Sequence, residues 1–339
     1  MANCQVVVSA HYVADDPTNC APVHWPLTAQ LYLPQAWVTD PARRAKVHVP
    51  TEVAFQTKPA LALALIDQAQ AWGVPFAWVV ADAGYGDNPT FLHGLEARQL
   101  AYVVGVSSSF GVRLPDDVST AALVPPPRPQ GRGQPQKPRP APLYTAKAIL
   151  EALPEAHWQT IPWREHNAIV LRKQFAAVRV HWATGGAQLS TSHHRVSTGP
   201  EGWLLGERPV PGDRGEVKWY FSNLPEATPL HRLVELAHSR WPIEQFYEDA
   251  KGECGLDHYQ GRRWDGLHRH LALVMLAYSF LARQRWMPTD PVGFFPLWRA
   301  SIVPSSPSPS AHVALPRCRL MAHRDQPDCP VPPHAKLTK

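Results

Sequence analysis

At 339 residues with 45% hydrophobic residues, the chain carries enough apolar material for one large globular domain or two smaller ones. A formal charge of +5 and a pI near 9.0 are compatible with a nucleic-acid partner without specifying one. Five widely spaced cysteines (Cys4, Cys20, Cys254, Cys318, Cys329) include no Cys-x-x-Cys pair, no N-terminal stretch reads as a signal peptide, and the longest apolar run, Leu271 to Leu281, is too short to span a bilayer; the expectation is a soluble cytoplasmic protein without a membrane partner.

The run from Cys4 to Val13 reads as a strand, Asp15 to Asn19 as a turn, and Thr28 to Pro34 as a second strand, so residues 4–33 form a long hairpin. Lys58-Pro59 opens a helix that closes just before Gly73. Phe76 to Ala81 is an apolar run that reads as a buried strand, and it ends in Asp82-Ala83-Gly84-Tyr85-Gly86. A helix from Asn88-Pro89 to about Arg98 and a buried strand over Ala101–Val106 come next. Residues 1–124 therefore have the pattern of a mixed α/β sheet.

Residues 125–142 hold eight prolines and four basic residues (Arg128, Arg132, Lys137, Arg139) with no acid, the composition of a stiff, solvated linker. The texture from 143 to 228 is β-rich, with strands expected at 168–172, 176–182, 202–206 and 217–222 and five tryptophans. Residues 229–286 return to helix, ending in one from about Asp265 to Trp286, and the Pro-rich tail 287–339 is expected to be largely disordered.

Two stretches carry chemistry. Asp82 stands at the C-terminal end of a buried strand, where α/β folds present an acid to a site. On a helix, Arg240, Glu244 and Lys251 share nearly one face, an arrangement that suits a carboxylate holding a metal ion beside cations that hold phosphates, or a salt-bridged solvent face. Pro242 requires that helix either to begin near Ser239–Trp241 or to be kinked there. Cys254, His258, His268 and His270 do not form a closed zinc set.

The spacing Arg240-x3-Glu244-x6-Lys251 resembles the Tyr-x2-Arg-x3-Glu-x6-Lys signature of one branch of insertion-sequence DDE transposases. The stretches Ala81–Gly86, Ser222–Pro225, Val53–Pro59 and Tyr32-Leu33-Pro34-x2-Trp37 resemble the same family, over roughly residues 3–285. The resemblance implies an α/β, ribonuclease H-like mixed sheet with a β-rich insertion domain before the last catalytic helix. It implies Asp82 as the second and Glu244 as the third catalytic, metal-binding acid, with Mg2+ or Mn2+ as cofactor. Arg240 and Lys251 would contact double-stranded DNA at transposon terminal inverted repeats, and a homodimer would form at paired ends.

Two departures modify that expectation. The signature tyrosine position holds Ala237. The family places its first acid on a central strand just before the one starting at Cys4, so the chain is expected to be N-terminally truncated, with the edges of the Cys4 and Asp82 strands left unpaired and catalysis impaired. Asp15 and Asp16 fall at the far tip of the hairpin. The alternative is a non-catalytic, DNA-binding transposase remnant.

Overall fold

The structure, a computed structural model, describes residues 4–14, 23–123, 141–166, 169–184 and 197–286, together with two short strands at 312–315 and 319–322. Nearly all of the 125–142 stretch and the hairpin tip with Asp15 and Asp16 lie outside the described residues. In chain order the first elements are β1 (Cys4–Ala14), β2 (Val23–Tyr32), α1 (Gln35–Val38), α2 (Pro41–Lys46), α3 (Lys58–Ala71), β3 (Trp78–Ala81), α4 (Ala83–Gly86), α5 (Pro89–Ala97) and β4 (Ala101–Val106). Next come β5 (Gly111–Arg113), α6 (Pro115–Leu123), β6 (Tyr144–Thr145), α7 (Ala146–Glu151), β7 (Gln159–His166), β8 (Ile169–Ala183), β9 (Thr198–Arg208) and β10 (Lys218–Ser222). The last are α8 (Leu230–His238), α9 (Trp241–Gly252), α10 (Trp264–Trp286), β11 (His312–Leu315) and β12 (Arg319–Ala322). They fall into two compact units, Met1–Val80 with Ser239–Lys339, and Ala81–His238.

In the first unit β1 and β2 pair antiparallel from Val6↔Tyr32 to Ala14↔Val23, with a register shift at Ala10/His11. His11 there faces Pro26, which has no N–H to give the ladder, and a bulge absorbs the mismatch. Thr57 caps α3 by accepting the Ala60 N–H at 3.3 Å, Pro59 occupies its first turn, and Gly73 comes just after its end at φ +71°. The core joins Val7, Val13 and Val80 to Ile243, Phe246, Tyr247 and Ala250 of α9 and to Leu267, Leu271, Val274 and Tyr278 of α10.

The unpaired edge expected for β1 is not what the structure holds. Its second edge is taken by β12, opposite Cys4–Val7, and by β11, opposite His11–Val13, both antiparallel. In the sheet order β11 stands between β1 and β3. Extended backbone at an open edge gains ladder partners whatever its side chains, and β11 and β12 supply them to β1 over those residues.

In the second unit β4, β10, β9 and β8 form an antiparallel run, with β5 and β7 both on β8 and β6 on β5. The two strands expected at 168–172 and 176–182 are one 15-residue strand, β8. Arg172-Lys173-Gln174 lies between the two apolar runs without glycine or proline, so nothing turns the chain, and the ladders to β7 and β9 carry it straight through.

Candidate active site

β3 is buried, and its last residue hands the chain to Asp82, which is 7% exposed. Asp82 is the N-cap of the short helix α4, and its Oδ1 accepts the Gly84 N–H at 2.8 Å, so the carboxylate is fixed by the turn it starts. The two glycines have distinct reasons. A Cβ on Gly84 would stand 3.0 Å from Asp82 Oδ1, whereas a Cβ on Gly86 would stand 2.0 Å from the carbonyl oxygen of Gly105 in β4. Gly86 therefore lets α4 lie directly on β4. Asp87, at the end of α4, accepts the Ser107 N–H at 2.8 Å and ties the far side of the same turn.

Asn223, inside one of the family-like stretches, carries no charge and was not singled out from the sequence. Its side chain accepts the Tyr102 N–H at 2.7 Å and donates to the Leu100 carbonyl at 3.0 Å, extending the β10–β4 ladder beyond its last backbone pair. The signal for it is an Asn directly after a strand and before Leu-Pro.

Glu244, Arg240 and Lys251 belong to the first unit. α9 begins at Trp241 with Pro242 in its first turn, as that proline requires. One face (Ile243, Phe246, Tyr247, Ala250) is buried, which leaves Glu244 and Lys251 half-buried on the other. Arg240, the N-cap residue, donates to Glu244 Oε1 at 2.9 Å, with side-chain exposures of 27% and 31%. The structure thus joins Arg240 to Glu244 directly. Trp241 is 39% exposed at the start of the same helix.

Behind α9 runs a buried polar chain that the alternating Val/Ser/His pattern of β1 only hints at. Tyr247 and Ser9 hydroxyls lie 2.7 Å apart, Ser9 Oγ is 2.8 Å from His11 Nε2, His11 Nδ1 is 3.0 Å from His24 Nε2, and His24 Nδ1 is 3.2 Å from the Tyr278 hydroxyl. Two neutral imidazoles and three hydroxyls supply a proton for each of these four contacts. Burial, reinforced by the neighbouring His24, holds His11 well below the usual histidine range, consistent with a neutral ring.

Among the described residues, no group of three or more His, Cys, Asp or Glu side chains is gathered so as to hold a metal ion. His268 and His270 face the backbone carbonyls of Trp264 and Leu256, and Cys254 is not in a disulfide. Asp82 lends one oxygen to Gly84 and Glu244 one to Arg240, so each acid already serves a donor of its own. Of the five tryptophans between 143 and 228, Trp182 is core, while Trp158 and Trp203 lie under the guanidinium groups of Arg208 and Arg179 at 4.1 and 5.0 Å.

Residues 1–168 match the family described as DDE superfamily endonuclease. That match supports a DDE-type, transposase-like family, and the mixed α/β architecture is consistent with a ribonuclease H-like fold. The matched stretch contains Asp82; Arg240, Glu244 and Lys251 lie beyond it. No curated protein matches the chain. Among the described residues no helix is long and apolar enough to cross a membrane.

Proposed function

We propose that this protein acts on double-stranded DNA at insertion-sequence ends, as a DDE transposase of the branch with the Tyr-Arg-Glu-Lys signature, and that its hold on DNA outlasts its power to cut. The observation that carries the reading is the match of residues 1–168 to a DDE endonuclease family, with Asp82 inside it at the end of a buried strand. In this reading Asp82 and Glu244 are the second and third acids of a metal-dependent phosphoryl transferase. Arg240 and Lys251 hold DNA phosphates, and Ala237 supplies no phosphate contact where the signature has tyrosine. Residues 143–228 are a β-rich insertion into a core made of 1–124 and 229–286, joined by the basic linker 125–142. Two copies bring paired ends together, in the cytoplasm, where widely spaced cysteines without a Cys-x-x-Cys pair are at home. Because the family uses three acids and only Asp82 and Glu244 are assigned here, the second Mg2+ or Mn2+ ion would be poorly held and strand cleavage and transfer are impaired in this reading.

The test uses the purified full chain and DNA carrying the terminal inverted repeats that flank its coding sequence. Retarded migration that weakens steeply with salt is expected, and Arg240→Ala or Lys251→Ala should each lower affinity roughly ten-fold and flatten the salt slope by about one. No binding at low salt would sink the reading as a whole. Vigorous cleavage in Mg2+ or Mn2+ that is lost in Asp82→Ala would instead show a competent enzyme and overturn only the claim of impairment.

A further inference from the structure

α10 buries Leu267, Leu271, Val274 and Tyr278 against the β1–β2 layer, and that face is satisfied. Its other side carries Leu273, Leu276 and Phe280 at 65, 68 and 52% exposure. Positions i, i+3 and i+7 form one stripe along a helix, so these are neighbours on a single apolar strip rather than scattered surface residues.

The sequence just beyond α10 is matched to that strip. Pro288 and Pro291 are residues that disfavour continuation of a helix. Three residues later comes Phe294-Phe295-Pro296-Leu297-Trp298, and no charged residue stands between Asp290 and Arg299. The reach suffices: eight extended residues beyond Trp286 span ~26 Å, while Leu273 lies ~20 Å back along the helix. The segment is also tethered at both ends to the unit that bears the strip, by α10 on one side and by the pairing of β11 with β1 on the other. A tethered segment competes at an effective concentration in the millimolar range, far above that of a free second copy.

We propose that the Leu273–Leu276–Phe280 strip is a docking surface for this chain's own segment Phe294–Trp298. The reading is independent of any activity on DNA. The experiment places the photo-reactive residue benzoylphenylalanine at Leu276 of the full chain, with a second preparation carrying it at Leu273, and retains only preparations whose thermal melt matches the parent. After irradiation of the purified protein, mass spectrometry should find intrachain adducts on residues 292–298 from both positions, and these should fall at least ten-fold in the double variant Phe294→Ser, Trp298→Ser. Adducts joining two chains would assign the strip to a second copy and overturn the proposal, as would intrachain adducts elsewhere or none at all.

Discussion

Glu207 is fully buried; Lys173 Nζ and the Tyr220 hydroxyl, at 2.9 Å, donate to it, and His238 Nε2 stands 3.0 Å from its other side as an ion-pair neighbour. Burial by itself raises a carboxyl, but the bond and charge of His238, followed by those of Lys173, outweigh it and hold Glu207 at about 2. The other nitrogen of His238 lies 2.8 Å from the Val234 carbonyl, which orients the ring. Replacing Glu207 with Gln would leave Lys173 and His238 without their anion in a dry site. We expect a loss of about 3–5 kcal/mol in denaturant unfolding, the range seen when one member of a buried ion pair is removed. A change within 0.5 kcal/mol would show the cluster to be incidental. None of this was legible in the sequence, where Glu207 comes after a glycine near the end of a strand and nothing identifies the lysine 34 positions earlier as its partner.

Among the elements, the β3–α4–β4 turn shows how a glycine can be required for a carboxylate to be in place. Gly86→Ala puts a methyl group against the Gly105 carbonyl, a backbone atom that cannot swing aside. The substitution should cost about 1–3 kcal/mol, and because α4 begins at Asp82 it should also loosen the Asp82–Gly84 bond. Faster exchange of the Gly84 amide, measured against Tyr102 in β4 as reference, would report that second effect; unchanged exchange would refute it. This element was largely readable in advance: an apolar run, an acid and a Gly-x-Gly pair mark strand, end and tight turn. The same holds for α3 and α9, whose prolines fall in the first turn. β8 was misjudged because Arg172-Lys173-Gln174 looks like an interruption, although Lys173 points to Glu207. Position along a strand decides which polar residue turns inward, and spacing alone does not reveal its partner.

At the scale of the whole molecule, the two units carry buried titrating groups of opposite kind, and their acid responses should separate. His11, in the first unit, is depressed below 6.5, so its contribution to stability is complete above that pH and falls away as pH drops below it, where the unfolded chain takes up a proton the folded core refuses. Glu207, in the second unit, contributes fully above about 4.5, and that contribution is lost as pH falls through about 2. Segment-resolved hydrogen exchange should therefore show β1, β2 and α10 losing protection between about pH 7 and 5, with β8, β9 and β10 holding until below about 4.5. Loss of protection everywhere at one pH would contradict it. Chain-wide organisation was the least legible level. The first unit gathers both ends of the sequence around β1, and which distant strand closes an edge depends on backbone pairing that composition does not encode.

The seat of β11 between β1 and β3 also sets a timetable. The ribosome makes β1 and β3 first and reaches His312 roughly 230 residues after Ala81. At common synthesis rates that interval is about 10–50 s. Throughout it the strand leading to Asp82 waits beside an empty lane, open to a chaperone or to any other extended chain, and this sheet can close only after Leu315 has been made.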